Sequence, residues 1–169
     1  MNAVIKPHTI QGSPEWHQYR AGKGNASEVA ALMGCNPWFP RTPYELWLVK
    51  TGRAEVAENE AMRRGSRLEP AARAYAEAIF AEVFEPQVRG RNRRSASLDG
   101  QTLDGDCILE LKVPMRGRDS EAWQYVEEHQ APPEHYLWQV QQQLYCSGAK
   151  LARFVVCHAE GDEIIDAIH

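Results

Sequence analysis

The chain is predicted to be an α/β sandwich, a central mixed β-sheet flanked by helices, and three observations predict it. Helical patterns at 14–20, 42–50 and 58–80 come first; strand-like runs follow from 83 to 113; a helical stretch and two closing strands complete the order. At 169 residues the length suits one core that needs no disulfide or metal staple.

In SPEWHQYR, Ser13 is a cap, Pro14 a first helical residue and Glu15 a first-turn acid, which predicts a short helix over 14–20. GKGNASEVAALMG breaks at Gly22 and Gly24, is capped by Asn25 or Ser27, and offers Val29, Leu32 and Met33 as an apolar face before Gly34. Thr42 and Glu45 have capping-box spacing around Pro43, and the Leu46, Trp47 and Val49 stripe that follows reads as core. The helix over 58–80 carries Leu68, Ala71, Ala72, Tyr75 and Ile79 along one side. Pro70 inside it lacks an N–H and crowds the carbonyl of Ser66, so a bend or restart is expected near Glu69.

VFEPQVRG and RSASLDG read as strands, the DGD at 104–106 as a hairpin turn, and 107–113 as a strong strand closed by Pro114. DSEAWQYVEEH is a short helix, and 134–147 is another with Leu137, Val140 or Gln141, Leu144 and Tyr145 along one side before Gly148. ARFVVCH and EIIDAIH are the last strands, around an AEGD turn.

A composition of 43% hydrophobic and 25% charged residues excludes a disordered tail. No apolar run approaches the roughly 20 residues of a membrane span, and MNAVIKPHTIQG lacks the h-region of a signal peptide; a cytoplasmic location without membrane contact is expected. Cys35, Cys107, Cys146 and Cys157 are far apart and form no C-x-x-C pair, which predicts free thiols. His17, His129 and His135 have neither zinc nor triad spacing, and no phosphate-cradling G-x-x-x-x-G-K-[ST] is present. A net charge of −4 provides no overall field for a polyanion. Arginines nevertheless crowd RGRNRR (Arg89, Arg91, Arg93, Arg94) and MRRGSR (Arg63, Arg64, Arg67), close in sequence to the acidic candidates below, although each cluster also fits a solvated face.

Those candidates lie in ASLDGQTLDGDCILELKVP. With a side-chain period of two, Glu110 and Lys112 share one face of their strand while Leu109, Leu111 and Val113 take the other. A hairpin can bring Asp99 beside Glu110, depending on register. Two carboxylates at one strand end suit a hard cation such as Mg²⁺ or Mn²⁺, and Lys112 then lies within reach of an attacking water. The spacing alone also fits a solvated strand face with a surface ion pair.

Five ordered segments, GSPEWHQYRAGKGNASEVAALMG, MRRGSRLEPAARAY, ASLDG, LELKVP and YLWQVQQQLYCSG, resemble the YqaJ-like viral recombinase family, the phage lambda exonuclease branch of the PD-(D/E)xK nucleases, over residues 12–158. The resemblance implies a restriction-endonuclease-like core in a single nuclease domain, 1–169, with an N-terminal helical segment, 12–52, and a catalytic core, 57–169. It implies Mg²⁺-dependent, with Mn²⁺ as a substitute, 5′ to 3′ digestion of double-stranded DNA ends, feeding a single-strand annealing protein in recombination.

Carried over by position, Asp99 and Glu110 match the metal carboxylates, Lys112 the catalytic lysine, Glu69 the helix glutamate that assists the metal, and Gln139 the glutamine near the site. Arg20 and Ser27 match the pair that approaches the terminal phosphate, though Ser27 also fits an ordinary helix cap. Leu98 stands where the family usually has proline, and Val113 where it usually has cysteine; neither change removes a ligand. The family's additional C-terminal helices have no counterpart before His169, so a monomer or small homo-oligomer is expected in place of a trimeric ring. Absence of the flanking cysteines argues against the iron–sulfur branch. A structure- or sequence-selective endonuclease of the same fold, or a non-catalytic DNA-end-binding module, are the alternatives.

Overall fold

Polar caps set the helix starts. Ser13 Oγ accepts from Trp16 N at 3.2 Å ahead of α1 (Pro14–Ala21). Thr42 Oγ1 accepts from Glu45 N at 3.2 Å ahead of α3 (Pro43–Lys50), while the Glu45 carboxylate takes Arg41 N at 2.6 Å instead of closing the box on Thr42. In the computed structural model, which describes residues 9–169, Asn25 and not Ser27 caps the one-turn 3₁₀ helix Ala26–Glu28 that leads into α2 (Val29–Met33). The first eight residues of the MNAVIKPHTIQG segment lie outside the described ones.

Four corrections concern which side chains are buried. Leu32 and Met33 are each 50% exposed, and Ala30 and Ala31 take the inner face of α2. Trp47 is 47% exposed, leaving Leu46 as the buried member of its stripe. Helix α4 (Glu60–Phe80) runs through Pro70 without a break and buries Leu68, Ala72 and Ala76, whereas Ala71 and Ile79 face solvent. Pro70 and Ser66 are both exposed, so water can satisfy the carbonyl that Pro70 leaves without a donor. Along α6 (Glu134–Ser147), Leu137 is outward and the buried face contains Val140, Gln143 and Cys146.

The strands are β1 (Gly24–Asn25), β2 (Glu85–Arg91), β3 (Arg94–Gln101), β4 (Cys107–Lys112), β5 (Leu151–Glu160) and β6 (Glu163–Ile168), in one mixed sheet ordered β1-β3-β4-β5-β6 with β2 also on β3. β4 and β5 are parallel, Cys107–Lys112 against Leu151–Val156, and α5 (Glu121–His129) and α6 provide the long crossover that a parallel pair requires. β6 closes the far edge antiparallel to β5.

Apolar residues leave the sheet on both faces. Leu109, Leu111, Val155 and Cys157 pack against Leu68, Ala72 and Ala76 of α4. Ala96, Leu98 and Ile108 pack against Cys146 of α6, and Phe154 and Val156 against Trp123 and Val126 of α5 and Val140 of α6. A buried Leu, Val or Phe of this kind contributes about 1.5–3 kcal/mol, and the two-sided burial fixes the sheet between α4 and the α5/α6 pair.

Candidate active site

The sheet forks where the candidate residues lie. β2 runs the length of β3 along one edge. The other edge is shared by β1, at Arg94 and Ser95, and by β4, at Gly100 and Gln101. Ala96 to Asp99 therefore have no strand neighbour on that side, and a cleft of about 300 Å³ opens there, at the carboxyl end of parallel β4, where α/β sheets commonly hold ligands. Asp99 and Gly100 stand opposite the single Pro86 where the β2–β3 register shifts, a bulge that re-aims the aspartate. Pro86 has no N–H to lose, and a Cβ on Gly100 would stand 2.5 Å from Phe84 Cβ, so proline and glycine both suit the irregularity. Beyond the last β3–β4 pair, Asp99 Oδ2 accepts from Leu111 N at 2.7 Å, replacing a ladder bond with a carboxylate contact.

All seven residues singled out from the sequence line this one cleft: Arg20, Ser27, Glu69, Asp99, Glu110, Lys112 and Gln139. Glu110 is 2% exposed, and a buried carboxylate needs donors. It has three: Lys112 Nζ and Gln139 Nε2 (2.6 Å) on Oε1, and Gln143 Nε2 on Oε2.

The glutamine run QVQQQ is thus largely explained by helical spacing. Gln139, Gln142 and Gln143 share the inner side of α6, Gln142 reaching Gly24 O (2.8 Å) and Ser95 O (3.1 Å), Gln143 also reaching Ser97 O (3.2 Å), while Gln141 is exposed. These amides occupy the gap in the sheet edge. Gln143 escaped the sequence reading, and its signal was its place one turn after Gln139.

On the opposite wall, the Arg73 guanidinium pairs with Glu69 and donates from Nε to Asp99 O at 2.6 Å, so one side chain ties α4 to the bulge. Arg73 was also missed, although it lies one turn beyond Glu69.

Burial, then the Glu110 carboxylate, raise the Asp99 pKa well above its ordinary value, with Lys112 and the Leu111 N–H opposing. Burial likewise raises Glu69, against the pull of Arg73. For Lys112, burial works against the ammonium but is outweighed by Glu110, Tyr136 and Asp99, and its pKa rises. The Tyr136 ring lies 4.7 Å from Nζ. Lys112 is therefore an ammonium at neutral pH, a donor and not a base.

The N-terminal segment closes the cleft. Trp16 Nε1 donates to Ser97 Oγ at 2.8 Å, the Arg20 guanidinium lies 4.3 Å from the Trp16 ring, and Arg20 donates to Ser27 Oγ at 3.1 Å. Ser27 is exposed and Arg20 lacks an ion pair among the described residues, leaving a flat cation beside a hydroxyl at the rim.

Among the described residues, no three His, Cys, Asp or Glu side chains stand close enough to hold an ion as arranged, with Glu110 and Glu69 turned to Lys112 and Arg73. In donor chemistry the cleft does suit a hard divalent cation, because its candidate ligands are the carboxylate oxygens of Glu69, Asp99 and Glu110, and burial followed by the repulsion of Glu110 raises Asp99. The four cysteines are free thiols, and burial raises each of them, Cys146 to about 11 and Cys157 to about 12.

Residues 15–150 match the YqaJ-like viral recombinase domain. The chain belongs to that family. The uncharacterized YqaJ protein of Bacillus subtilis (strain 168) is 30% identical to this YqaJ-like chain over 156 residues, 83% of the chain but 44% of the relative, so the chain spans less than half of that protein's length. Its fold is that of PD-(D/E)xK exonucleases. An alkaline exonuclease from Laribacter hongkongensis matches with a TM-score of 0.67 and 27% identity over 92% of this chain and 81% of that one. The complex of that exonuclease with dAMP gives 0.64 and 26% over 92% and 82%. A phage-related exonuclease from Haemophilus somnus 129PT shares the fold, at a TM-score of 0.62 over 80% of this YqaJ-like chain and 68% of the other, with 13% identity.

Proposed function

We propose that this YqaJ-like domain is a Mg²⁺-dependent deoxyribonuclease that removes nucleotides from duplex DNA ends, 5′ to 3′, in recombination within a bacterial or phage-infected cytoplasm. The observation that carries the reading is the meeting of Asp99, Glu110, Glu69 and Lys112 in one cleft at the sheet fork. Asp99 and Glu110, assisted by Glu69, would hold the ion, which supplies Lewis-acid polarisation of the phosphate and a lower pKa for bound water.

The chain's own groups do the rest. Lys112, held as an ammonium by Glu110, directs a proton at the attacking water or at the charge that develops on phosphoryl oxygen. Gln139 and Gln143 keep the Glu110 carboxylate from rotating. Arg73 fixes Glu69 and the Asp99 backbone. Arg20 and Ser27 receive the terminal 5′-phosphate, with Trp16 holding the guanidinium flat. An annealing protein that takes up the exposed 3′ strand is the partner this activity calls for.

End-labelled duplex DNA with Mg²⁺ tests the assignment. Lys112→Ala and Asp99→Ala should each slow nucleotide release by about 10²–10³-fold or more, the scale of losing one transition-state contact; undiminished release by either variant would remove it. Covalently closed circular DNA should survive while linear DNA is degraded, and cutting of the circle favours the endonuclease reading. Product-free binding that is indifferent to metal favours a non-catalytic end-binding module. Arg20→Ala should abolish any preference for 5′-phosphorylated over 5′-hydroxyl ends.

A further inference from the structure

We infer that the tip of the β2–β3 hairpin, together with Lys23, is a second phosphate-contact surface that grips the DNA backbone about five nucleotides from the reacting phosphate. This rests on the nuclease reading for its ligand. Its geometry is independent of the cleft.

Four cations gather there. The Arg91 and Arg94 guanidinium carbons lie 5.0 and 5.1 Å from the centroid of the same Tyr145 ring. Lys23 Nζ donates to Asn92 O at 3.2 Å and lies 4.8 Å from the Tyr19 ring, while Asn92 Nδ2 donates to Tyr145 Oη at 3.2 Å. Arg93 is exposed beside them, and its carbonyl accepts from Gly24 N at 2.9 Å. Arg91, Arg94 and Lys23 also pull against the burial that raises the neighbouring Cys146 thiol to about 11.

None of the four is in an ion pair among the described residues. Glu28, which follows β1 in the chain, is taken by Lys50 at 3.0 Å and by Asn25. In a chain of net charge −4, packing like charges together without acids carries a repulsion that an external polyanion would relieve. Arg91 Nε, buried and without a partner, is part of the same imbalance.

The placement suits a DNA strand that leaves the cleft. Arg94 begins β3 and Asp99 lies five residues along it. At about 3.3 Å per residue that is roughly 16 Å, and a DNA strand rising about 3.4 Å per phosphate covers it in about five nucleotides. Arg20 at the rim and β1, paired to Arg94 and Ser95, make the link continuous.

The test is fluorescence anisotropy of a 20-base-pair duplex in EDTA across a salt series, using wild type, the double variant Arg93→Gln/Arg94→Gln and the control Lys150→Gln. Both hairpin positions are exposed, and Lys150 pairs with Asp106 at the opposite end of the sheet. The slope of log Kd against log salt should fall by about two in the double variant, one per lost phosphate contact, and stay unchanged in the control. Binding of a 5′-phosphorylated trinucleotide, too short to reach the hairpin, should be equal in wild type and the double variant. An unchanged slope in the double variant, an equal loss in the control, or no salt-dependent binding by wild type overturns the proposal. Wild-type binding with the expected slopes but no nucleotide release with Mg²⁺ overturns the catalytic reading alone and leaves the surface standing.

Discussion

Asp99 is where the demands of the fold and of the proposed chemistry oppose each other. Burial and the nearby carboxylates of Glu110 and Glu69 disfavour its charge, and Lys112 with the Leu111 N–H offsets only part of that. An asparagine at this position keeps an oxygen for the 2.7 Å bond from Leu111 N and removes the repulsion. Asp99→Asn should therefore raise the melting temperature of the metal-free protein at neutral pH by about 2–4 °C, what roughly 1 kcal/mol gives in a chain of this size, while abolishing nuclease activity. A calorimetric scan in EDTA decides it, and a lower melting temperature would mean that the carboxylate is fully compensated by its donors. Lys112 is the complementary case: its raised pKa keeps the charge that the carboxylates need, at the cost of any role as a base.

At the scale of elements, α6 is the one whose sequence was most misread by apolar pattern. Leu137 was expected on the inner side and is 40% exposed, whereas Gln143, to which the apolar pattern assigned no place, is fully buried. The reason is non-local. The face of α6 that meets the sheet lies over the fork, and what it finds there is Glu110 and bare backbone carbonyls, which require amides and not leucines. Gln143→Leu would strip donors from Glu110 Oε2 and Ser97 O, and at about 1–3 kcal/mol for each buried acceptor left unpaired it should destabilise by about 2 kcal/mol or more in a denaturant titration. Gln141→Leu, on the exposed side, should stay within about 0.5 kcal/mol.

Elements governed by local chemistry were legible. The Ser13 and Thr42 caps, the Gly105 turn at φ 80° and the αL stop at Gly148 appear where the sequence puts them. The bulge at Asp99 and Gly100 was not, because it depends on Pro86 from another strand, and a shift of register leaves no mark on the local pattern. The same limit explains Trp47, Leu32 and Met33, whose helical spacing is right but whose inward places are taken by Leu46, Ala30 and Ala31.

For the molecule as a whole, side chains take the place of ladder bonds at the fork: the Asp99 carboxylate accepts from Leu111 N, and Gln142 and Gln143 of α6 donate to Ser95 O and Ser97 O. The acidic groups are held in one cleft before any ligand arrives, and the native state carries their repulsion as a standing cost. A divalent cation that binds only this folded arrangement must then stabilise the whole cooperative unit by mass action, by about 2.7 kcal/mol at a hundredfold excess over Kd, or roughly 5–11 °C in melting temperature. Mg²⁺ or Mn²⁺ added to EDTA-treated protein should produce that rise with a saturating dose dependence, and NaCl at matched ionic strength should not, since general screening acts on exposed charges far more than on buried ones. Asp99→Asn should start from a higher melting temperature and gain little from either metal, so that the wild-type melting temperature, lower at first, overtakes that of the variant as the ion is added. Equal metal-induced shifts in both proteins would place the ion elsewhere on the molecule and withdraw Asp99 from the metal site.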